Sequence, residues 1–261
     1  MLPASHSKHS KLLLCPFAST VFRLVQSDDG VSNGTALWLG AQCLSAYLAY
    51  AGVVKPGMRA LELGGGIGLS ALCLANLGCT TITTDLPVVI STCLARNIEN
   101  NVSQLGPGSG AVCVRELDWT VPPERWLWDH PTIIASQTCS LAVHQQQLAH
   151  PFDLIISADT IYDMALVTPF LRTLHALCTL SVAALSSSRV PVIYLCLERR
   201  DSAVIDRTFD EASTWGFTAT RIAPRKLSKA LVKSGLKWDR EDWDGVEIWK
   251  LIFEVNRAQN S

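Results

Sequence analysis

The chain has 261 residues, of which 48% are hydrophobic and 17% are charged. This amount of apolar material excludes a disordered chain, and the length fits one enlarged α/β domain as well as two small ones. Its 22 Lys and Arg against 23 Asp and Glu give a formal net charge of -1. The bulk charge therefore gives no indication of nucleic acid as a partner, although it leaves room for a local basic patch.

The first segment and the cysteines indicate the compartment. Residues 1–11 are polar and predict a mobile tail, and the apolar run at 12–17 is too short for a signal-peptide core. The apolar stretch at 170–185 contains Arg172 and His175, which predicts a covered helix and no membrane partner. Nine cysteines without a C-x-x-C pair predict buried free thiols and no metal site. We expect a soluble protein of the cytoplasm or the nucleus.

Strands and helices alternate along the first two thirds of the chain. Short apolar runs predict strands of a parallel sheet at 58–63, 80–84, 152–158 and 190–197, and a more alternating run predicts a fifth at 111–117. Helical spacing of apolar residues predicts helices at 37–51 and 69–77, which Gly52 and Gly78 end. Pro87 opens a third helix. This alternation is typical of a sheet with helices on both faces.

The last part of the chain predicts a helix at 202–215, a strand at 217–223, a short helix near 227–232 and a final strand at 246–254. An antiparallel pair at one sheet edge fits the two strands. The fold class is therefore α/β, with a Rossmann-like, seven-stranded, mostly parallel sheet, an antiparallel edge strand and helices on both faces. We divide the chain into an N-terminal extension with a hairpin at 1–33, one domain at 34–255 and a C-terminal tail at 256–261. Two irregular insertions fall at 120–150 and 181–189.

A glycine-rich loop joins the first predicted sheet strand to the helix at 69–77, where an absent Cβ lets the backbone approach a ligand. No Lys follows the glycines, so a P-loop is excluded, and the third glycine of a dinucleotide-binding G-x-G-x-x-G is missing. NAD is therefore a weaker alternative. The pattern Glu-x-Gly-x-Gly-x-Gly suits a cationic ligand, and S-adenosylmethionine carries a sulfonium and an ammonium but no phosphate. The cofactor-binding candidates here are Glu62, Gly64, Gly65, Gly66 and Gly68.

Asp85 lies 17 residues after Gly68, at the end of the second predicted sheet strand. A carboxylate in this place can accept both ribose hydroxyls of an adenosine. Since NAD contains the same ribose, Asp85 indicates an adenosine and not specifically a methyl donor. The alternative is that Asp85 caps the helix that begins at Pro87.

Three further motifs follow the same order as the strands: Gly-x-x-x-Trp at 34–38, Leu-Asp-Trp at 117–119 and Asp-x-x-Tyr at 159–162. Together with the glycine loop they resemble the seven-strand S-adenosylmethionine-dependent methyltransferases. More narrowly, they resemble the methyltransferase-like protein-lysine methyltransferase family. The resemblance extends over residues 34–180, with a looser match at 247–250.

The resemblance implies S-adenosylmethionine as cofactor and transfer of its methyl group to a lysine amine of a protein. Chaperones and translation factors are among the family's substrates, whereas a small amine such as nicotinamide and a non-catalytic binding module are the alternatives. The resemblance also adds site residues near the cofactor: Trp38, Asp118, Trp119 and Ala158. For Trp38, the apolar helical pattern alone fits packing in the core equally well.

Asp159 and Tyr162 are the catalytic candidates. They are three residues apart, so in a helical turn their side chains would share one face. A lysine amine, with a pKa of about 10.4, is almost fully protonated at neutral pH, so an enzyme must align it and help it lose its proton. We assign the hydrogen bond that orients the amine to Asp159 and one wall of the lysine channel to Tyr162. The alternative is that Asp159 caps the next helix while Tyr162 packs in the core.

Overall fold

The computed structural model describes residues 1–27, 32–139, 151–184 and 190–254. The predicted C-terminal tail and parts of both predicted insertions lie outside these residues. The described strands, in chain order, are β1 Leu12–Phe17, β2 Thr20–Val25, β3 Arg59–Leu63, β4 Thr80–Asp85, β5 Val112–Leu117, β6 Ile133–Ala135, β7 Leu154–Ala158, β8 Val192–Glu198, β9 Phe217–Arg221 and β10 Val246–Phe253.

Strands β3 to β10 form one sheet in the order β6-β5-β4-β3-β7-β8-β10-β9, which confirms the mostly parallel α/β fold. The sheet has eight strands where the sequence predicts seven, because the short strand β6 from the 120–150 insertion pairs in parallel with β5. The antiparallel strand is β10, which pairs with both β8 and β9, so it lies one place in from the edge. The edge strand itself is β9.

The described helices are α1 Ala4–Ser7, α2 Leu39–Tyr50, α3 Leu69–Asn76, α4 Pro87–Val89, α5 Ala95–Val102, α6 Met164–Ala183, α7 Ser202–Thr214 and α8 Pro224–Lys233. A π-helical turn, Ile90–Leu94, joins α4 to α5. Gly52 and Gly78 follow α2 and α3 with φ of 69° and 90°, so the predicted glycine ends of these two helices are confirmed.

Apolar side chains cover the sheet on both faces. One buried cluster joins the sheet to α2, α3, α5 and α8, and a second joins its other face to α6 and α7. Helix α6 is long and apolar enough to cross a membrane by length and composition alone. Its inner face, including Phe170, Leu174 and Cys178, is nevertheless buried in the second cluster, as the predicted covered helix requires.

The prediction of a mobile tail at residues 1–11 is wrong. The backbone N–H of Ala4 donates to the side-chain oxygen of Gln42 at 2.8 Å, and the amide of Gln26 donates to the carbonyl of Ser7 at 2.8 Å. Strands β1 and β2 form an antiparallel hairpin, and Asn97 accepts from the backbone N–H of Val25. The buried side-chain amides of Gln26 and Gln42, which are distant in sequence, thus form hydrogen bonds with the polar N-terminal segment.

All nine cysteines are free, and seven of them are buried, which confirms buried free thiols for those seven. Burial raises the pKa of the Cys15 and Cys178 thiols to about 12, so these two are inert at neutral pH. Cys113 differs because its side chain is exposed on β5. Packing therefore accounts for most of the cysteines, although not for Cys113.

Candidate active site

The carboxyl ends of β3, β4, β5 and β7 open into a cavity of about 290 Å³. Of the residues that the sequence indicates, the cavity lining includes Trp38, Glu62, Gly64, Gly65, Gly66, Asp85, Asp118, Trp119, Ala158, Asp159 and Tyr162. Gly68 stands apart from them at the start of α3, with φ of 90°. A Cβ there would lie 3.0 Å from Ile98, so Gly68 serves the packing of α3 and not the cavity wall.

The glycine loop after β3 lies against the end of β4. The backbone N–H of Gly65 donates to the carbonyl of Thr84 at 2.8 Å. A Cβ added at Gly65 would lie 2.0 Å from Oγ1 of Thr83, and one at Gly64 would lie 2.3 Å from Cγ2 of Thr160. Side chains at these two positions would displace Thr83 or Thr160, so glycine is what lets the backbone form the floor of the cavity.

Glu62 lies beneath this loop and is only 2% exposed. Its Oε2 accepts a hydrogen bond from Oγ1 of Thr83 at 2.7 Å. Burial raises the pKa of Glu62 to about 8, against the opposing effect of the hydrogen bond from Thr83. Without a ligand, this carboxyl group therefore holds its proton at neutral pH, and a cationic group placed beside it would favour ionisation.

This pKa predicts how the stability of the protein depends on pH. Between about pH 4.5 and about pH 8 the folded protein keeps the Glu62 proton while the unfolded chain releases it, so the free energy of unfolding falls as the pH rises. Glu62→Gln remains neutral and still accepts from Thr83, so it should flatten this slope. Urea unfolding across that range measures it, with Glu99→Gln on an exposed part of α5 as the control. An equal slope in the Glu62→Gln variant and in the unsubstituted protein would contradict the assignment.

Asp85 fixes the other side of the glycine loop. Its Oδ2 accepts from the backbone N–H of Gly66 and its Oδ1 from that of Leu86, each at 2.8 Å. Burial raises the pKa of Asp85 to about 6, against these two bonds. The N-cap position of α4 is Leu86, and no side chain caps it, so the alternative of a helix cap at Asp85 is wrong. The carboxylate faces the cavity at the end of β4.

Asp118 and Trp119 follow β5 and form a further wall. Oδ1 of Asp118 accepts from the backbone N–H and the hydroxyl of Thr120, at 2.8 and 2.6 Å. The Trp119 ring meets Phe170 of α6 edge to face, with 5.1 Å between the ring centres. Arg172 donates to the carbonyl of Trp119 at 2.8 Å. Helix α6 thus holds a flat aromatic surface beside a carboxylate.

Asp159 follows β7 in a left-handed conformation, with φ of 53°. Its Oδ2 accepts from the backbone N–H of Gly40 at 2.6 Å, and its Oδ1 from that of Glu198 at 2.9 Å. Burial raises its pKa to about 6 despite both bonds. A Cβ at Gly40 would lie 2.6 Å from Oδ2, so the start of α2 can approach the carboxylate only because residue 40 is glycine.

The predicted helical turn at Asp159 and Tyr162 is wrong, because α6 begins only at Met164 and the residues before it form a loop. The alternative is wrong too. Asp163 caps α6 by accepting from the N–H of Ala165, and the Tyr162 side chain is 60% exposed. Both Asp159 and Tyr162 still line the cavity, Asp159 inside it and Tyr162 at its mouth.

Trp38 precedes α2 at its N-cap position, so its predicted place on the helix is wrong, and the ring is half-buried in the cavity wall. Its Nε1 donates to the carbonyl of Asn33 at 2.6 Å. The guanidinium of Arg200 lies 4.6 Å from the ring centre and Nζ of Lys8 lies 4.9 Å from it. Arg200 also pairs with Glu198. The sequence patterns did not indicate Arg200, Glu198 or the role of Gly40. The available signal was the Glu-Arg-Arg run that directly follows the predicted strand at 190–197.

A glycine loop and separate carboxylates thus lie at successive carboxyl ends of a mostly parallel sheet, the usual place of a ligand site in a Rossmann-like α/β domain. The lysine methyltransferase family model matches residues 18–139 of this chain.

Three curated relatives show how far the similarity extends. Methyltransferase-like protein 22 of Homo sapiens is 34% identical over 39% of this chain. Protein N-lysine methyltransferase METTL21A of Mus musculus is 28% identical over 70% of this chain and 72% of its own length. EEF1A lysine methyltransferase 3 of Mus musculus is 25% identical over 67% of this chain and 62% of its own length. The chain spans only 29% and 40% of the human and mouse methyltransferase-like protein 22.

Among solved structures, a methyltransferase from Pyrococcus furiosus is 14% identical, with a TM-score of 0.48 over 96% of this chain and 93% of that one.

Proposed function

We propose that this protein is an S-adenosylmethionine-dependent N-methyltransferase that transfers a methyl group to a lysine side chain of another protein. The observation that carries this proposal is the charge of the cavity. Among the described residues, four carboxyl groups line it, from Glu62, Asp85, Asp118 and Asp159, and no Lys, Arg or His does. Such a lining favours a cationic adenosine ligand and disfavours the pyrophosphate of NAD.

The residues present fit this cofactor. Gly64 and Gly65 leave space where a Cβ would meet Thr160 or Thr83. Asp85 uses one lone pair of each oxygen on backbone N–H groups and keeps the others for ribose hydroxyls. Glu62 has no ion-pair partner among the described side chains, so a bound cation would supply one. When bound, S-adenosylmethionine supplies an electrophilic methyl group on a sulfonium.

The residues at the end of β7 would then position the acceptor. Two backbone N–H groups fix the Asp159 carboxylate. Its remaining lone pairs can accept a hydrogen bond from a lysine amine and so orient the lone pair of the amine nitrogen. The oriented amine would face the methyl group that the cofactor supplies, and the proton that the amine gives up would leave to water. With a pKa of about 6, Asp159 aligns the amine but is too weak a base to deprotonate it.

The mouth of the cavity supports a protein acceptor over a small amine. Tyr162 and Leu86 line the mouth and are 60% and 44% exposed. The nearby side chains of Val88 and Met164 are 41% and 49% exposed. An apolar rim around an open mouth suits a docked protein that extends one lysine inward. A nicotinamide-type acceptor would favour a closed cavity.

We propose further that the acceptor is a translation factor or a chaperone in the cytoplasm or nucleus. The name of one relative, EEF1A lysine methyltransferase 3, supports the translation-factor class. That relative covers only part of the present chain, so the acceptor has to be identified directly.

Two measurements test the proposal. Calorimetric titration with S-adenosylmethionine should show binding, and the absence of heat at millimolar cofactor would favour a non-catalytic module. Methyl transfer from tritiated cofactor into an extract of cells that lack the protein should label a discrete polypeptide. Label that stays soluble in acid would instead indicate a small-molecule acceptor.

A further inference from the structure

Helix α8 carries a row of cations on the side that faces away from the core. Leu227, Ala230 and Leu231 are buried on its inner face, where the helix packs against α2. The exposed cations, which we call the basic face, are Arg225, Lys226, Lys229 and Lys233 on α8 and Lys237, four residues after its end. Residues 224–237 contain no Asp or Glu. No carboxylate among the described residues forms an ion pair with the basic face.

This arrangement of charge opposes the stability of the helix that carries it. Arg225 and Lys226 lie in the first turn, at the positive end of the helix dipole, and this turn has neither an acidic residue nor a side-chain cap. Lys229 is four residues from both Arg225 and Lys233, a spacing at which like charges repel. The whole chain has a net charge of only -1, so the concentration of cations is local. An external partner of opposite charge would relieve the repulsion.

The basic face begins at the same sheet edge as the cavity. Val246, at the start of β10, pairs with Glu198 at the end of β8, and Trp249 of β10 pairs with Arg221 at the end of β9. The end of β9 therefore lies at the carboxyl edge, and α8 begins three residues later. Three strand spacings, from β7 through β8 and β10 to β9, separate the end of β9 by about 14 Å from β7, the strand that precedes Asp159.

We propose that the basic face docks an acidic segment of the acceptor protein and so brings one of its lysines to the cavity. This inference rests on the proposed function and adds the chemistry of the partner. Successive cations at Arg225, Lys229 and Lys233 are about 6 Å apart along the helix, the rise between Asp or Glu residues one turn apart on a facing helix. Val232, 71% exposed among these cations, offers an apolar contact that suits a protein partner more than a phosphate backbone.

Direct binding tests the docking surface without catalysis. The probe is a fluorescein-labelled polyglutamate peptide, followed by fluorescence anisotropy. The variant Arg225→Glu/Lys229→Glu/Lys233→Glu should bind it at least about tenfold more weakly than the unsubstituted protein. The control Lys11→Glu/Lys55→Glu/Arg96→Glu changes the net charge equally at exposed positions elsewhere and should stay within about threefold. An equal loss in both variants would overturn the proposal, as would tighter binding of a DNA duplex than of the peptide.

Methyl transfer then separates the docking surface from the proposed function. The basic-face variant should bind S-adenosylmethionine as tightly as the unsubstituted protein but label the acceptor polypeptide at least about tenfold more slowly at low acceptor concentration. Undiminished labelling would overturn the docking surface and leave the methyltransferase assignment intact. If the unsubstituted protein labels no polypeptide but still binds polyglutamate through the basic face, the proposed function fails and the assignment of an anion-binding surface remains.

Discussion

Gly65→Ala is expected to weaken the binding of S-adenosylmethionine at least about a hundredfold and to lower the free energy of unfolding by about 1–3 kcal/mol. The added Cβ would lie 2.0 Å from Oγ1 of Thr83 and 3.2 Å from Oε2 of Glu62. Thr83 is fully buried in the centre of the sheet, so it has little room to move. Either the Thr83–Glu62 hydrogen bond breaks or the loop rises into the cavity, and both outcomes disturb the cofactor floor.

Gly106→Ala is the matched control for this variant. No heavy atom lies within 4 Å of a Cβ at position 106, and its φ is not in the left-handed region. Its free energy of unfolding should stay within about 0.5 kcal/mol of the unsubstituted protein, with unchanged cofactor affinity. Calorimetric titration and urea unfolding measure both variants. If Gly65→Ala binds the cofactor with unchanged affinity, the loop can adopt another conformation and the prediction is wrong.

Local patterns are what made much of the fold predictable. The strands β3, β4, β5, β7 and β8 follow apolar or alternating patterns in short segments, and each begins and ends within about two residues of its prediction. The missed features depend on distant partners or have too few residues for a pattern. Strand β6 has three residues, and the position of β10 depends on its pairing with β8. The N-terminal segment is held by Gln42, 38 residues away from Ala4.

In the candidate site, too, local sequence places some residues, and only the structure shows the surroundings of others. The glycine loop and Asp85 lie at strand ends, where neighbouring residues and the chain's alternation suffice to place them at one edge of the sheet. The environment of Asp159 required the structure, since its partner Gly40 is 119 residues away. The sequence motif indicated that Asp159 lies at the site. It could not show that the Asp159 carboxylate already accepts hydrogen bonds from two backbone N–H groups.

Asp159→Asn is expected to slow methyl transfer at least about a hundredfold while changing cofactor affinity less than about fivefold. Asn tolerates the left-handed backbone, and its oxygen can accept from one of the two N–H groups of Gly40 and Glu198. Its NH₂ group would face the other N–H, so one bond to a charged acceptor is lost and the free energy of unfolding falls by about 1.5–3 kcal/mol. Single-turnover transfer, calorimetric titration and urea unfolding measure the three effects.

Asp163→Asn is the control, because Asp163 lies four residues further along the same loop. It distinguishes a lost alignment of the amine by Asp159 from a disturbed fold of the loop. Asn caps a helix as well as Asp does, so α6 should begin unchanged and transfer should stay within about twofold.

The unsubstituted protein should also lose transfer rate as the pH falls through about 6, where Asp159 gains its proton. The transfer rate of Asp159→Asn should not show this fall. Full activity in Asp159→Asn would remove Asp159 from the reaction. An equal loss in Asp163→Asn would assign the effect to the loop, because Asp159 lines the cavity and Asp163 does not.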